Sequence, residues 1–238
     1  MTTRHPRQAR QRLIVAMDVA DRAGLSRLCK TLAGSIGMAK VGKQLFTAMG
    51  PAAIELVAGQ SLGVFLDLKF HDIPNTVAQA VRAARQHGVD LLTVHALGGS
   101  DMVAAACEAR SGDPKPYIIA VTLLTSMDAG DLRQLGIHGG PAEVVERLGR
   151  LALDAGADGL VCSGHEAAKL RSSFGPEPIL ITPGIRPAGS GSDDQARVVT
   201  PARAVADGAD YLVIGRPITA AIDPAAAAAA VAEELEVT

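Results

Sequence analysis

Tryptophan is absent from the 238-residue chain, and aromatic residues make up only 3% of it. So few rings leave little to stack bases on, which argues against a nucleic acid as partner. Cysteine is almost as scarce. Cys29, Cys107 and Cys162 are odd in number, far apart and without C-x-x-C spacing. Neither a disulfide framework nor a structural zinc site is expected, and a reduced cytoplasm is the simplest setting. No apolar run reaches the roughly 18 residues of a membrane span, so no membrane partner is expected. Neither sign of charge prevails: 23 Lys and Arg against 25 Asp and Glu leave a net −2. No strong global field therefore draws the chain to a polyanion or a lipid surface. The opening MTTRHPRQARQR is basic and polar and lacks the apolar core of a secretory signal. It reads as a loose tail over residues 1–12, ahead of one domain at 13–238.

What the sequence does have is a rhythm. Nearly continuous apolar, β-branched runs occur at 13–19, 38–44, 63–70, 91–97, 117–124, 159–163, 178–184 and 211–216. Such runs suit strands buried on both faces of a parallel sheet. Helical stretches between them include 21–34, 47–59, 74–87, 100–110, 140–155 and 200–208, and Asp223-Pro224 starts a final alanine-rich helix. A helix–Gly–(Val/Ala)–Asp–strand junction recurs at Gly88, Gly156 and Gly208. It reads as a common turn, with glycine ending the helix. Eight strands alternating with helices predict an α/β fold, a single-domain (β/α)8 barrel of the usual length of about 250 residues. An open doubly wound sheet is the alternative, although no G-x-G-x-x-G follows the first strand. Two connections are long and polar, 125–140 and 184–197. The second, rich in Gly, Ser and Asp, reads as a lid.

A barrel of this kind carries its chemistry at the C-terminal ends of its strands. Polar residues there are Asp18, Lys40, Asp67, Lys69, His71, Asp72, Asn75, Thr76, His95, Thr125, Ser126 and Arg216. Asp67 and Lys69 are two apart and so share one side of a strand. Lys40, Asp67, Lys69 and Asp72 have no net charge together and can all stay ionised in one site. Purely structural ion pairs remain an alternative, since such networks also perturb pKa values. His71 and His95 raise the question of a metal, but no three-ligand set is apparent and none is expected. Gly215-Arg216 after the eighth strand suits a phosphate, which barrels often bind there. Arg186 and Gln195, after the seventh strand, are placed to close over it. An ordinary surface arginine is the plainer reading of Arg216.

The stretch Asp67-Leu68-Lys69-Phe70-His71-Asp72-Ile73-Pro74-Asn75-Thr76 resembles the D-x-K-x-x-D-I-P-x-T signature of orotidine 5′-phosphate decarboxylases. LTSM (124–127), VCS (161–163), TPGIR (182–186) and IGR (214–216) agree in order and place, so the likeness runs from Leu13 to about Pro217. It implies cofactor-free conversion of orotidine monophosphate into uridine monophosphate and carbon dioxide. It also implies roles. Lys69 would be the proton donor and Asp67 would face the departing carboxylate, with Lys40 and Asp72 completing the charge network. Asp18 would bind the ribose, and Thr125 and Ser126 the pyrimidine edge. Pro183 would line the pocket, while Arg186, Gln195, Gly215 and Arg216 would hold the phosphate. Asp72, Ile73 and Thr76 would be donated to a partner's site, which makes the expected assembly a homodimer with shared active sites.

Two other readings stay open at this point. One is a metal-using sugar-phosphate barrel, such as a ketogulonate-phosphate decarboxylase or a hexulose-phosphate synthase. Those share D-x-K but lack the full D-I-P-x-T continuation. The other is a barrel kept only for binding.

Overall fold

The computed structural model describes residues 5–6, 8–187 and 199–236. The chain begins with a 3-10 turn, Ala9–Arg12, and then alternates strand and helix. The order is β1 (Leu13–Ala16), α1 (Arg22–Leu32), β2 (Met38–Gly42), α2 (Lys43–Met49), α3 (Ala52–Ala58), β3 (Gly63–Phe70), α4 (Pro74–Gln86) and β4 (Leu91–His95). It continues with α5 (Ser100–Glu108), β5 (Tyr117–Val121), α6 (Ala129–Gln134), α7 (Pro141–Asp154), β6 (Gly159–Val161), α8 (Gly164–Phe174) and β7 (Ile179–Pro183). It ends with α9 (Pro201–Ala206), β8 (Tyr211–Ile214), α10 (Arg216–Thr219) and α11 (Pro224–Glu236). The strands pair in parallel in sequence order, and β8 closes on β1. The chain is a (β/α)8 barrel and not an open sheet.

Side-chain alternation explains the two apolar layers. Ile14, Met38, Phe65, Leu91, Ile119, Ile179 and Tyr211 point inward and fill the lower barrel. Their neighbours, such as Leu13, Ala39, Val64, Leu92 and Leu212, point outward beneath the helices. The longer helices meet them with an apolar stripe. In α1 the buried residues are Leu25, Leu28, Cys29 and Leu32, the spacing of one helical face. Asp21 caps that helix by accepting the Gly24 amide at 2.7 Å. Cys29, Cys107 and Cys162 are all buried and unpaired. Burial pushes their thiols up to about 11, 11 and 12 respectively, so they behave as small hydrophobes.

The recurring Gly–x–Asp junction is a structural clamp at the N-terminal end of the barrel. Gly88, Gly156 and Gly208 take positive φ of 76°, 95° and 99° to end their helices. The aspartate two residues on then reaches to the preceding strand. Asp90, Asp158 and Asp210 accept the amides of Val64, Ile118 and Leu180 at 2.9, 2.8 and 2.8 Å. Each is also paired with a cation: Lys115, Arg110 and Arg171 in turn. Before β2 the same backbone position holds Gly37, which donates to Leu13 O and accepts from the Gly63 amide. A Cβ there would stand 2.6 Å from Gln11 O.

Several boundaries differ from the sequence reading. The stretch 47–59 is not one helix, because Gly50 (φ 61°) and Pro51 break it into α2 and α3. Within 125–140, Asp128 nucleates the short α6 by accepting the Gly130 and Asp131 amides. Apart from β3, the strands also stop earlier than their apolar runs. Asp18 lies two residues past β1, and Gly215 and Arg216 belong to the start of α10. The segment 1–12 is not loose throughout, since Pro6 is buried and Arg10 Nη1 donates to Gly34 O at 3.0 Å.

Candidate active site

The site begins with a fault in the pairing of β3 and β4. Leu66 aligns with Leu92, but the next aligned pair is Phe70 with Val94. β3 thus uses four steps where β4 uses two. The surplus is absorbed at Asp67–Lys69, and Lys69 takes φ 54°. A left-handed backbone at a non-glycine residue costs about 1–3 kcal/mol and persists only where its surroundings hold it. Thr93, fully buried on β4, faces this bulge. Its Oγ1 accepts the Lys69 amide at 2.9 Å and donates to Asp67 Oδ1 at 3.0 Å.

Lys69 Nζ donates to the same Asp67 Oδ1 at 2.8 Å. Lys40 Nζ stands 3.7 Å from Asp67 Oδ2 and 3.7 Å from Asp18 Oδ1. Burial alone would raise the Asp67 carboxyl, but Lys69, Lys40 and the hydrogen bonds from Lys69 and Thr93 outweigh it. Asp67 therefore titrates below the ordinary carboxylate range and is ionised at neutral pH. Lys40 comes from a β2 position aligned with Phe65, two residues below Asp67. Its long stem brings the ammonium up beside Gly42, where a Cβ would lie 2.9 Å from Nζ.

These charges line a cavity of about 310 Å³ at the C-terminal mouth of the barrel. Ala16, Phe65, Val121, Leu123, Val161, Ile181 and Val213 form its apolar wall. Thr125, Pro183, Gly184, Arg186, Gly215 and Arg216 complete the rim. Arg186 is buried, and its Nη1 donates to Ile185 O at 3.1 Å. Ile185 and Val199 form an isolated bridge, and the Arg186 amide donates to Val199 O at 3.1 Å. Both ends of the long connection after β7 are therefore pinned beside the cavity.

Of the residues singled out from sequence, Asp18, Lys40, Asp67, Lys69, Thr125, Pro183, Arg186, Gly215 and Arg216 converge on this cavity. Asp72, Ile73, Thr76 and Ser126 do not line it. The expected Lys40–Asp67–Lys69–Asp72 cluster does not form within one chain, and Asp18 is the fourth member instead. After the bulge the backbone leaves the barrel, so Asp72 is exposed and accepts the Ile73 amide at 2.7 Å. Ile73 itself is 66% exposed. Gln195 and most of the expected lid lie outside the described residues.

His71 and His95 stack on one another, with ring centroids 5.3 Å apart. Burial, His71, Lys69 and Lys43 push His95 down to about 4, so its ring is neutral. Sequence reasoning missed Thr93 and Gly42. The strand parity of Thr93, two before His95, offered a weak signal, and only the Lys40 contact reveals Gly42.

A family model described as "Orotidine 5′-phosphate decarboxylase / HUMPS family" matches residues 11–231. A protein described as orotidine 5′-phosphate decarboxylase from Anaeromyxobacter sp. (strain K) is 51% identical over 225 residues, 94% of this chain and 98% of that one. One from Moorella thermoacetica is 52% identical over 235 residues, 96% of this chain and 93% of that one. The crystal structure of orotidine 5′-phosphate decarboxylase from Lactobacillus acidophilus superposes with a TM-score of 0.84 at 38% identity, covering 94% of this chain and 98% of the other. With a family match over most of its length and relatives at half identity, this chain belongs to the orotidine 5′-phosphate decarboxylase / HUMPS family.

Proposed function

We propose that this enzyme decarboxylates orotidine 5′-phosphate to uridine 5′-phosphate, with the Asp18–Lys40–Asp67–Lys69 cluster as its chemical centre. The observation that carries the reading is the Lys69 ammonium, held 2.8 Å from Asp67 at the mouth of a cavity with an apolar wall and a charged rim. Cleavage of the C6–carboxylate bond leaves its electron pair on the ring carbon as carbon dioxide departs. A cation already fixed beside that carbon stabilises the pair without reorienting, which is where preorganised charge is most effective. Lys69 then transfers a proton to C6 and regains one from solvent. Asp67, ionised because its two lysines outweigh its burial, sets a negative charge facing the substrate carboxylate. Repulsion there raises the energy of the bound state, a smaller contribution than the ammonium's.

Substrate groups far from C6 are assigned by chemistry. Arg186 and Arg216, with the backbone at Gly215, hold the phosphate, and Gln195 joins them from the connection after β7. A guanidinium meets a phosphate with two parallel hydrogen bonds. Asp18 and Lys40 bind the ribose hydroxyls. Thr125 and Ser126 read the pyrimidine edge, and Pro183 packs against it. Binding energy from the phosphate is used to order the site around the reacting carbon.

Asp72, Ile73 and Thr76 act in the site of a second copy of this chain. Their exposure at the rim beside β3, with Ile73 66% exposed, supports this. The working unit is then a homodimer with two shared sites, each bringing Asp72 to the partner's Lys69. Action in the cytoplasm suits the three free, buried thiols.

The test is loss of orotidine monophosphate absorbance with the purified protein after exhaustive chelation. Turnover to uridine monophosphate is expected. Tight binding without consumption would leave only a nucleotide-binding barrel. Turnover that needs added divalent metal would favour the sugar-phosphate branch of the family.

A further inference from the structure

We propose that Thr93 is the positioning residue that fixes the Lys69 ammonium, acting through the bulge in β3. The proposal rests on the decarboxylase reading above. Its starting point is a hydroxyl with both functions committed. A backbone N–H can only donate and an ionised carboxylate can only accept. Thr93 Oγ1 must therefore receive the Lys69 amide (2.9 Å) and turn its own proton to Asp67 Oδ1 (3.0 Å). One oxygen thus grips the main chain of Lys69 and the carboxylate that holds the Lys69 side chain.

The surrounding geometry gives this grip its consequence. Without the bulge, β3 and β4 would continue the Leu66–Leu92 register, and Lys69 would not take its left-handed φ of 54°. The Lys69 amide has no ladder partner at that point and uses the Thr93 side chain instead. Thr93 is fully buried, so water does not replace the hydroxyl easily. Its removal leaves a buried amide without a partner and a strained backbone without its anchor. The bulge then relaxes toward the regular ladder, and the ammonium moves with it. Thr93 is not among the cavity-lining residues, so it acts on the chemistry only through Asp67 and Lys69.

The experiment compares wild type, Thr93→Val, Thr93→Ala and Thr93→Ser. Valine keeps the shape and loses the hydroxyl, and serine keeps the hydroxyl. For Thr93→Val, kcat on orotidine monophosphate is expected to fall about 100-fold, the usual result of a ~1 Å misplacement of a reacting group. KM and the Kd for uridine monophosphate are expected to stay within about threefold, because Thr93 lies outside the cavity lining and its loss leaves the phosphate-end residues in place. Thr93→Ser is expected to restore kcat to within about threefold of wild type, since its hydroxyl can make both hydrogen bonds. Wild-type kcat in folded Thr93→Val or Thr93→Ala overturns the proposal. So does a Thr93→Ser enzyme as impaired as Thr93→Val. If both hydroxyl-free variants show no cooperative thermal transition while Thr93→Ser does, Thr93 is a folding determinant and the positioning role is rejected. Inactivity of the wild type toward orotidine monophosphate would instead count against the decarboxylase reading itself.

Discussion

Replacing Gly42 by alanine separates the fold from the chemistry in a single methyl group. At φ −93° and ψ −179° the backbone is extended, so alanine fits it without strain. Gly→Ala at a compatible site usually stabilises by about 0.4–1 kcal/mol, through the unfolded chain. What the new Cβ meets is the Lys40 ammonium at 2.9 Å, with Asp18 Oδ1 next at 3.6 Å. Nζ is the free end of a flexible stem, so it yields, and the weakened ion pair roughly offsets the backbone gain in stability. A retreat of about 1 Å lengthens its 3.7 Å separation from Asp67. At an effective dielectric constant of about 20, the attraction falls from ~4.5 to ~3.5 kcal/mol. A loss of ~1 kcal/mol in the transition state is about a fivefold loss in rate. The expected result is a melting temperature within about 2 °C of wild type and kcat/KM on orotidine monophosphate reduced about fivefold, measured by calorimetry and absorbance. Undiminished kcat/KM would show that Lys40 is not confined as described. A melting temperature lowered by more than about 5 °C would show that the backbone, not the side chain, had to give way.

Arg216→Ala is expected to lower kcat/KM about 10- to 100-fold, the worth of a charged hydrogen bond to phosphate. Unchanged kinetics would remove Arg216 from the phosphate site. Lys69→Ala and Asp72→Asn homodimers are each expected to be nearly inactive. Free subunit exchange between them should recover about a quarter of wild-type activity, because half of the dimers are hybrids with one intact site of two. Proven hybrids without recovery would rule out a shared site. His95 supplies a pH test. Its folded value of about 4 lies below its ordinary 6.5, so between those values the unfolded chain takes up a proton that the folded chain refuses. Stability is therefore lost as pH falls through that window, by about 3 kcal/mol in all. His95→Asn should flatten that part of the stability profile in urea titrations; an unaltered slope would contradict it. Asp67, with a lowered folded value, adds its own loss only at more acidic pH.

The strands were legible because burial on both faces leaves little but β-branched and aliphatic residues in them. Their ends were less so. Leu123 and Leu124 extend the apolar run of β5 but line or flank the cavity, beyond the last ladder bond. The α2–α3 break required weighing Gly50-Pro51 against a helical pattern that continued across it. Asp67 and Lys69 were recognisable as a pair because they lie two apart on one strand, and Lys40, on the strand before, joined them by charge balance. Asp72 was grouped with them by proximity in sequence, which says nothing about where a chain turns after a strand. Thr93 and Gly42 were the hardest. One owes its place to a register shift that strand parity marks only weakly, and the other to an empty volume that leaves no mark in one dimension.

The aspartate clamp before β4, β6 and β8 tightens three joints of the barrel's foot, but the joint before β2 has Gly37 in its place. There the turn Ala9–Arg12 substitutes. Gln11 packs on Gly37, and Arg12 Nη1 reaches Ala209 O and Asp210 O at 3.4 and 3.3 Å. The opening residues thus serve as the hoop on the one even-numbered stave that has no clamp of its own. Trimming them as a dispensable tag would loosen the seam between the first strand and the last, at the pole of the molecule farthest from the reacting carbon.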